Sequence, residues 1–198
     1  MIYIHPGYPK AGSTTLQKQL FAKHPDVVNL GIYPTGNIGQ DSGIDESLDV
    51  PVLKDARLKN FYRQLTLSDG LLYDSHYMKS LWEGMKQNYA DNKRPLLLSS
   101  ESLLTARFSN PEIREKARRL QELFDMPKII IVIRSQFDLL RSHYRDHPVD
   151  PRTISYKRKP VSFSQWLNID LSLPHHSITN TLLFHHAVEL YEGLFGKD

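Results

Sequence analysis

The sequence predicts an α/β fold in which helices are layered on a central, mainly parallel β-sheet. Three observations predict it. Short apolar runs alternate along the chain with stretches of helical spacing. Two of these runs, ending at Glu101 and at Arg134, are continuously apolar and stop in polar residues, as buried parallel strands do where their carboxyl ends open on a site. The first fifteen residues read as strand, glycine-bearing loop and helix start.

Taken in order, Ile2-Tyr3-Ile4 is a short alternating strand broken by Pro6, Gly7 and Pro9. Gly12 permits a tight turn. Ser13, Thr14 and Thr15 are good opening residues for a helix, which Leu16, Leu20 and Phe21 continue to about His24-Pro25. Val27–Gly31 is a second strand, and residues 32–50, rich in Gly, Asp, Ser and Pro, form a loop over the site. Helices follow over 51–66 and 69–90, the second capped by Ser68 or Asp69, with Leu58, Phe61, Leu65, Leu72, Met78, Trp82 and Met85 facing a core. Pro95–Glu101 is the third strand. Asn110-Pro111-Glu112 starts a helix to about Phe124 whose Arg114, Arg118, Arg119, Glu115 and Glu122 form a solvated face. Lys128–Ile133 is the clearest strand, followed by a helix from about Phe137 to Asp146, a basic Pro-punctuated loop over 147–160, and two closing helices, Ser162 to Leu167 and about 177–195.

The chain has 198 residues, enough for one domain with a real core, and 40% of them are apolar. It has no cysteine, which excludes disulfides, thiolate catalysis and cysteine-ligated metals. A formal charge of +3 suits a small anionic ligand and lacks the clustered basic face of a nucleic-acid binder. No signal-like or membrane-length apolar run is present, so the expectation is a cytoplasmic protein without a membrane partner. The pairs His175-His176 and His185-His186 invite a metal reading, but neighbours on a helix should point apart and no acidic partner stands at ligand spacing, so no metal is expected.

In a parallel sheet the strand ends at residues 6–15, 99–102 and 134–142 converge. A loop followed by a helix start aims N–H groups at an anion, Lys10 adds a cation, and Ser13, Thr14 and Thr15 add hydroxyls. Gly7 and Gly12 have P-loop separation, but Lys10 precedes Gly12 and Ser13 follows it, so the nucleotide-kinase order is absent. Where a P-loop kinase strand ends in a magnesium-holding Asp, this one ends in Arg134, which takes an anion directly and bidentately. Ser142 lies one to two turns into the next helix, where its hydroxyl reaches the same anion. Plainer readings compete: Arg134 in a buried ion pair with Asp138, Ser142 as an ordinary helix serine, Glu101 as cap of a short helix Ser102–Arg107 or partner of a lysine.

Pro9-Lys10-Ala11-Gly12-Ser13-Thr14-Thr15 resembles the 5′-phosphosulfate loop of sulfotransferases that use 3′-phosphoadenosine 5′-phosphosulfate (PAPS), and Arg134 to Ser142 and Tyr144, Arg-x7-Ser-x-Tyr, resembles their 3′-phosphate motif. Family members often have Asn-Pro after the arginine, where this chain has Ser135-Gln136. The resemblance covers roughly residues 1–31 and 95–198. It implies a P-loop NTPase-like three-layer sandwich and a single sulfotransferase-like domain over 1–198 whose C-terminal part, in the family a further strand and cofactor-contacting loop, is missing. It also implies PAPS as donor with no metal. Lys10 would meet the leaving oxygen, Pro9 to Thr15 the 5′-phosphate, Arg134 and Ser142 the 3′-phosphate. Glu101, at the end of the strand that bears the base in the family, would take the acceptor proton, with a pKa raised by desolvation; His5 and His76 are alternative bases. The acceptor would be a small molecule or carbohydrate. Two other functions stay open: a P-loop-type kinase with Glu101 on magnesium, and a non-catalytic nucleotide-binding remnant.

Overall fold

In a computed structural model the described residues are 1–8, 10–32, 55–89, 93–104, 112–146, 160–173 and 182–197. Among them four strands form one parallel sheet: β1 (Ile2–Pro6), β2 (Val28–Ile32), β3 (Leu96–Ser100) and β4 (Lys128–Ile129), in the order β2-β3-β1-β4. The register is direct, Ile2 opposite Leu96 through Pro6 opposite Ser100, and Ile4 opposite Ile129. The α/β architecture and the parallel sheet therefore stand as the sequence predicts.

The first helical segment, α1, is Ser13–Thr15 running into wider turns over Leu16–Phe21. The remaining helices are α2 (Ala56–Leu67), α3 (Ser75–Lys86), α4 (Ile113–Leu123), α5 (Gln136–Asp146), α6 (Phe163–Leu171) and α7 (Phe184–Phe195). Helices α2, α3 and α4 pack on one another, α4 also packs on α7, and α7 reaches β4. Between them Phe61, Trp82 and Phe124 meet, with Trp82 edge-on to Phe124 at 4.9 Å, and Leu58, Leu65, Met78 and Met85 are fully buried. Trp82 and the two methionines are thus core, as their spacing indicates. Each buried side chain of this size contributes about 1.5–3 kcal/mol of transfer free energy.

Several elements depart from the sequence reading. Helix α3 starts at Ser75, capped by the Asp74 carboxylate accepting from the Tyr77 amide at 3.0 Å, and not at Ser68 or Asp69. The Asp69 carboxylate instead accepts from the Leu71 amide two residues on, closing a turn, so Leu72 is 76% exposed. In α1 the Ala22 amide bonds the Gln17 carbonyl, a five-residue step that shifts the inward face: Gln17 is buried and Leu20 is exposed.

Of the Lys128–Ile133 run only Lys128–Ile129 is laddered, with the Ile130 amide also reaching the Ile4 carbonyl, because its one neighbour β1 ends at Pro6, which has no N–H to continue the ladder. Arg119 belongs to no solvated face. It is 1% exposed, and its guanidinium donates to the carbonyls of Gln64, Leu65 and Ser68, the unbonded C-terminal groups of α2. Helix α6 runs to Leu171 behind a Ser162 capping box, and α7 starts at Phe184. The loops over 33–54 and 147–159, the Asn110-Pro111 start and His175-His176 lie outside the described residues, as does the second half of the segment 102–107. Among the described residues no helix is long and apolar enough to cross a membrane.

Candidate functional site

Because all four strands are parallel, their carboxyl ends share one edge of the sheet. Strand β1 occupies an inner position, so the loop leaving it has the end of β3 on one side and the end of β4 on the other. That places Gly7, Tyr8 and residues 10–15 between Glu101 and Arg134.

The loop is held from within. The Gly7 amide donates to the Ser100 carbonyl at 3.2 Å. The Tyr8 carbonyl accepts twice, from the Ala11 amide at 3.2 Å and from the Ser13 hydroxyl at 3.0 Å. Tyr8 is buried edge-on against Phe184, and burial pushes its phenol up to about 12. Two residues take left-handed backbone, Lys10 at φ 64 and Gly12 at φ 91. Gly12 adopts it freely, whereas Lys10 is unusual there. Gly7 is glycine for space: a Cβ would stand 2.6 Å from the Ser13 hydroxyl.

Gly12, Thr14 and Thr15 are exposed, Ala11 is half-buried and Ser13 is buried. The Ser13 hydroxyl therefore closes the loop, while the first-turn amides of Ser13, Thr14 and Thr15 have no intrahelical acceptor. Pro9 lies outside the described residues.

The two halves of the predicted anion site meet. The exposed Arg134 donates from Nη1 to the Lys10 carbonyl at 3.2 Å. Among the described residues it pairs with no carboxylate, so the ion pair with Asp138 does not form. Ser142, half-buried on α5, lines with Arg134 a cleft of about 620 Å³. The Lys10 ammonium is not open: it pairs with Asp146 at the far end of α5. Helix α5 thus holds Lys10 twice, by its carbonyl ahead of the helix and by its side chain at the helix end. Tyr144 donates to the Val161 carbonyl at 2.7 Å and packs edge-on to Phe163 and Trp166.

Glu101 is half-buried and opens a single tight turn, Glu101–Leu103. The cap of that turn is Ser100, whose hydroxyl accepts from the Ser102 amide at 3.2 Å. The buried Lys116 of α4 braces it from below, its ammonium donating to the Ser102 carbonyl at 2.7 Å. Burial first, and then Arg119 nearby, bring the Lys116 ammonium down to about 7.

Of the alternative bases, His5 is fully buried beneath the loop. Its Nδ1 is 2.9 Å from the Ser99 hydroxyl, which also accepts from Gln17 at 3.0 Å, and its ring stands edge-on to Phe21. Burial lowers its pKa to about 4, so it is neutral at pH 7. His76 is exposed on the first turn of α3. The His185 and His186 rings do not point apart: their centroids are 4.0 Å apart, and His186 lies 3.8 Å from Glu189. Among the described residues no group of three or more His, Asp or Glu side chains is placed to hold a metal.

Three participants escaped the sequence reading. Asp146 met Lys10 across the fold, which no local pattern announces. Arg141 and Arg145 share the Ser142 side of α5, and their spacing to Phe137 and Asp138 at three, four, seven and eight residues was the available signal. Comparison of the chain with known protein families, curated proteins and solved structures finds no match. What the fold and site define is therefore a class only: an α/β protein with a four-stranded parallel sheet and a cationic cleft at the carboxyl ends of its strands.

Proposed function

We propose that the chain is a PAPS-dependent sulfotransferase, built as a P-loop-like three-layer domain, that moves a sulfuryl group to a hydroxyl or amine of a small-molecule or carbohydrate acceptor. The observation that supports it best is the contact between Arg134 and the Lys10 carbonyl, which brings the two motifs to one edge of the sheet. One nucleotide carrying phosphates at both ends spans such a pair of cations.

The residues fit the donor. The first-turn amides of α1, with Gly12, Thr14 and Thr15 exposed, suit the 5′-phosphate, and Arg134 with Ser142 is suited to the 3′-phosphate. Lys10, released from Asp146, meets the negative charge that develops on the bridging oxygen. Fixed N–H groups and one ammonium stabilise that charge. Glu101 accepts the acceptor's proton. As the acceptor oxygen forms its bond to sulfur, the bond from sulfur to the phosphate oxygen breaks and adenosine 3′,5′-bisphosphate leaves.

The test is thermal stabilisation by adenosine 3′,5′-bisphosphate, without magnesium, against ADP with magnesium. A shift with the bisphosphate alone is expected. A shift with ADP and magnesium alone transfers the site to the kinase reading. Lys10→Ala should abolish transfer and leave the melting temperature within a few degrees. A second reading, a nucleotide-binding protein without turnover, is favoured by the Lys10–Asp146 pair. Bisphosphate binding with no transfer to any of a panel of acceptors would select it.

A further inference from the structure

The cleft that begins at Arg134 is larger and more cationic than one phosphate requires. At about 620 Å³ it is in the size range of small-molecule sites. Among the described residues its lining carries three arginines, Arg134, Arg141 and Arg145, against one carboxylate, Asp138. Arg141 and Arg145 are a helical turn apart on α5, so their side chains leave the helix about 6 Å from each other. Both are exposed. The Arg141 guanidinium lies 5.6 Å from the centre of the Phe137 ring. Among the described residues Arg145 makes only a long contact to Asp146, Nε to carboxylate 3.9 Å, and its side chain is 81% exposed. Phe163 also lines the cleft, edge-on to Tyr144 at 5.3 Å, and the Tyr144 hydroxyl donates to the Val161 carbonyl.

We infer that Arg141 and Arg145 bind the acceptor, and that the acceptor is a small ring compound bearing its own carboxylate or sulfate beside the hydroxyl to be modified. The inference rests on the sulfuryl-transfer reading. Two guanidiniums one turn apart grip an oxyanion with the forked donors of arginine, and Phe137 and Phe163 line the cleft with apolar surface for the ring. Arg145 adjoins Asp146, the partner of Lys10, so an anion anchored there stands beside the reacting lysine. The mild overall charge of +3 leaves this cationic cleft a local feature rather than part of a polyanion-binding face. Acidic sugars and hydroxylated aromatic acids share this chemistry.

Calorimetric titration of the whole chain, in the presence of adenosine 3′,5′-bisphosphate, tests it with two matched pairs: a glucuronate-containing disaccharide against its glucose analogue, and 4-hydroxybenzoate against its methyl ester. The acid member of one pair is expected to bind at least tenfold tighter than its neutral twin, which identifies the source. R141Q/R145Q should erase that difference while bisphosphate affinity stays within threefold, which also shows that the variant is folded. Equal binding of acid and neutral twins overturns the inference. So does a preference that survives in R141Q/R145Q, or a tenfold loss of bisphosphate affinity there, which would assign the arginines to the donor. Bisphosphate that fails to bind the unaltered chain removes the sulfuryl-transfer reading and the acceptor role together. Loss of the acid preference alone removes only the inference.

Discussion

Asp146→Asn offers a sharp test, because it should strengthen ligand binding. In the free protein the Lys10 ammonium is held by the Asp146 carboxylate, and the two side chains keep 35% and 33% of their exposure. An ion pair that is this wet is worth up to about 1 kcal/mol. Any phosphate that uses Lys10 must displace Asp146 first. Removing the carboxylate therefore raises affinity for adenosine 3′,5′-bisphosphate by up to about fivefold, since 1.4 kcal/mol is tenfold. The fold should hardly notice. A carboxylate at the C-terminal end of α5 opposes the helix dipole by about 0.3–1 kcal/mol, which roughly cancels the lost pair. Calorimetry on D146N at low salt and at about 0.5 M salt reads both parts, with the gain shrinking as salt screens the pair. A fall in affinity would refute the reasoning, because the carboxylate would then be aiming Lys10 rather than competing for it.

Further outcomes follow from the same geometry. Gly7→Ala forces a Cβ to within 2.6 Å of the Ser13 hydroxyl, so it should cost about 1–3 kcal/mol in chemical denaturation and weaken bisphosphate binding. His5 has a pKa lowered from 6.5 to about 4, so its contribution is complete above pH 6.5 and is lost as pH falls towards 4, a change of about 3 kcal/mol that His5→Gln should remove from the acid-denaturation profile. Lys116 sits at about 7 against 10.5 when unfolded, so between those values the unfolded chain binds more protons and stability rises with pH. Wild type should gain on Lys116→Met between pH 7 and 9, measured as the difference in melting temperature; a constant difference would mean that Lys116 is not buried as described.

What was legible in the sequence is what local pattern encodes. Leu96–Ser100 is a strand because an apolar run admits little else, and Ile4 with Leu98 then faces the core. The loop around Gly12 and the arginine after the fourth apolar run could be read because both are short motifs at strand ends. Partners chosen by the fold could not. Arg119 has the same helical spacing as its solvated neighbours, and only the arrival of the α2 carbonyls makes it a core residue. Leu72 has helical spacing, yet Asp74 is the cap and leaves it outside the helix. The length of β4 depends on which strand stands beside it, a fact absent from its own residues. In the site, Arg134 could be placed near the loop by topology, but the Asp146 grip on Lys10 joins positions 136 residues apart.

The inner place of β1 also orders events in time. Its five residues are made before either neighbour, and both of its flanks are filled from far downstream, by Leu96–Ser100 and by Lys128–Ile130. Contacts of such sequence separation form slowly. During translation the strand that carries the Lys10 loop thus lacks its second neighbour until residues 128–130 have emerged. Shortened products that stop before residue 128 would expose an apolar strand with an open side, the usual seed of aggregation.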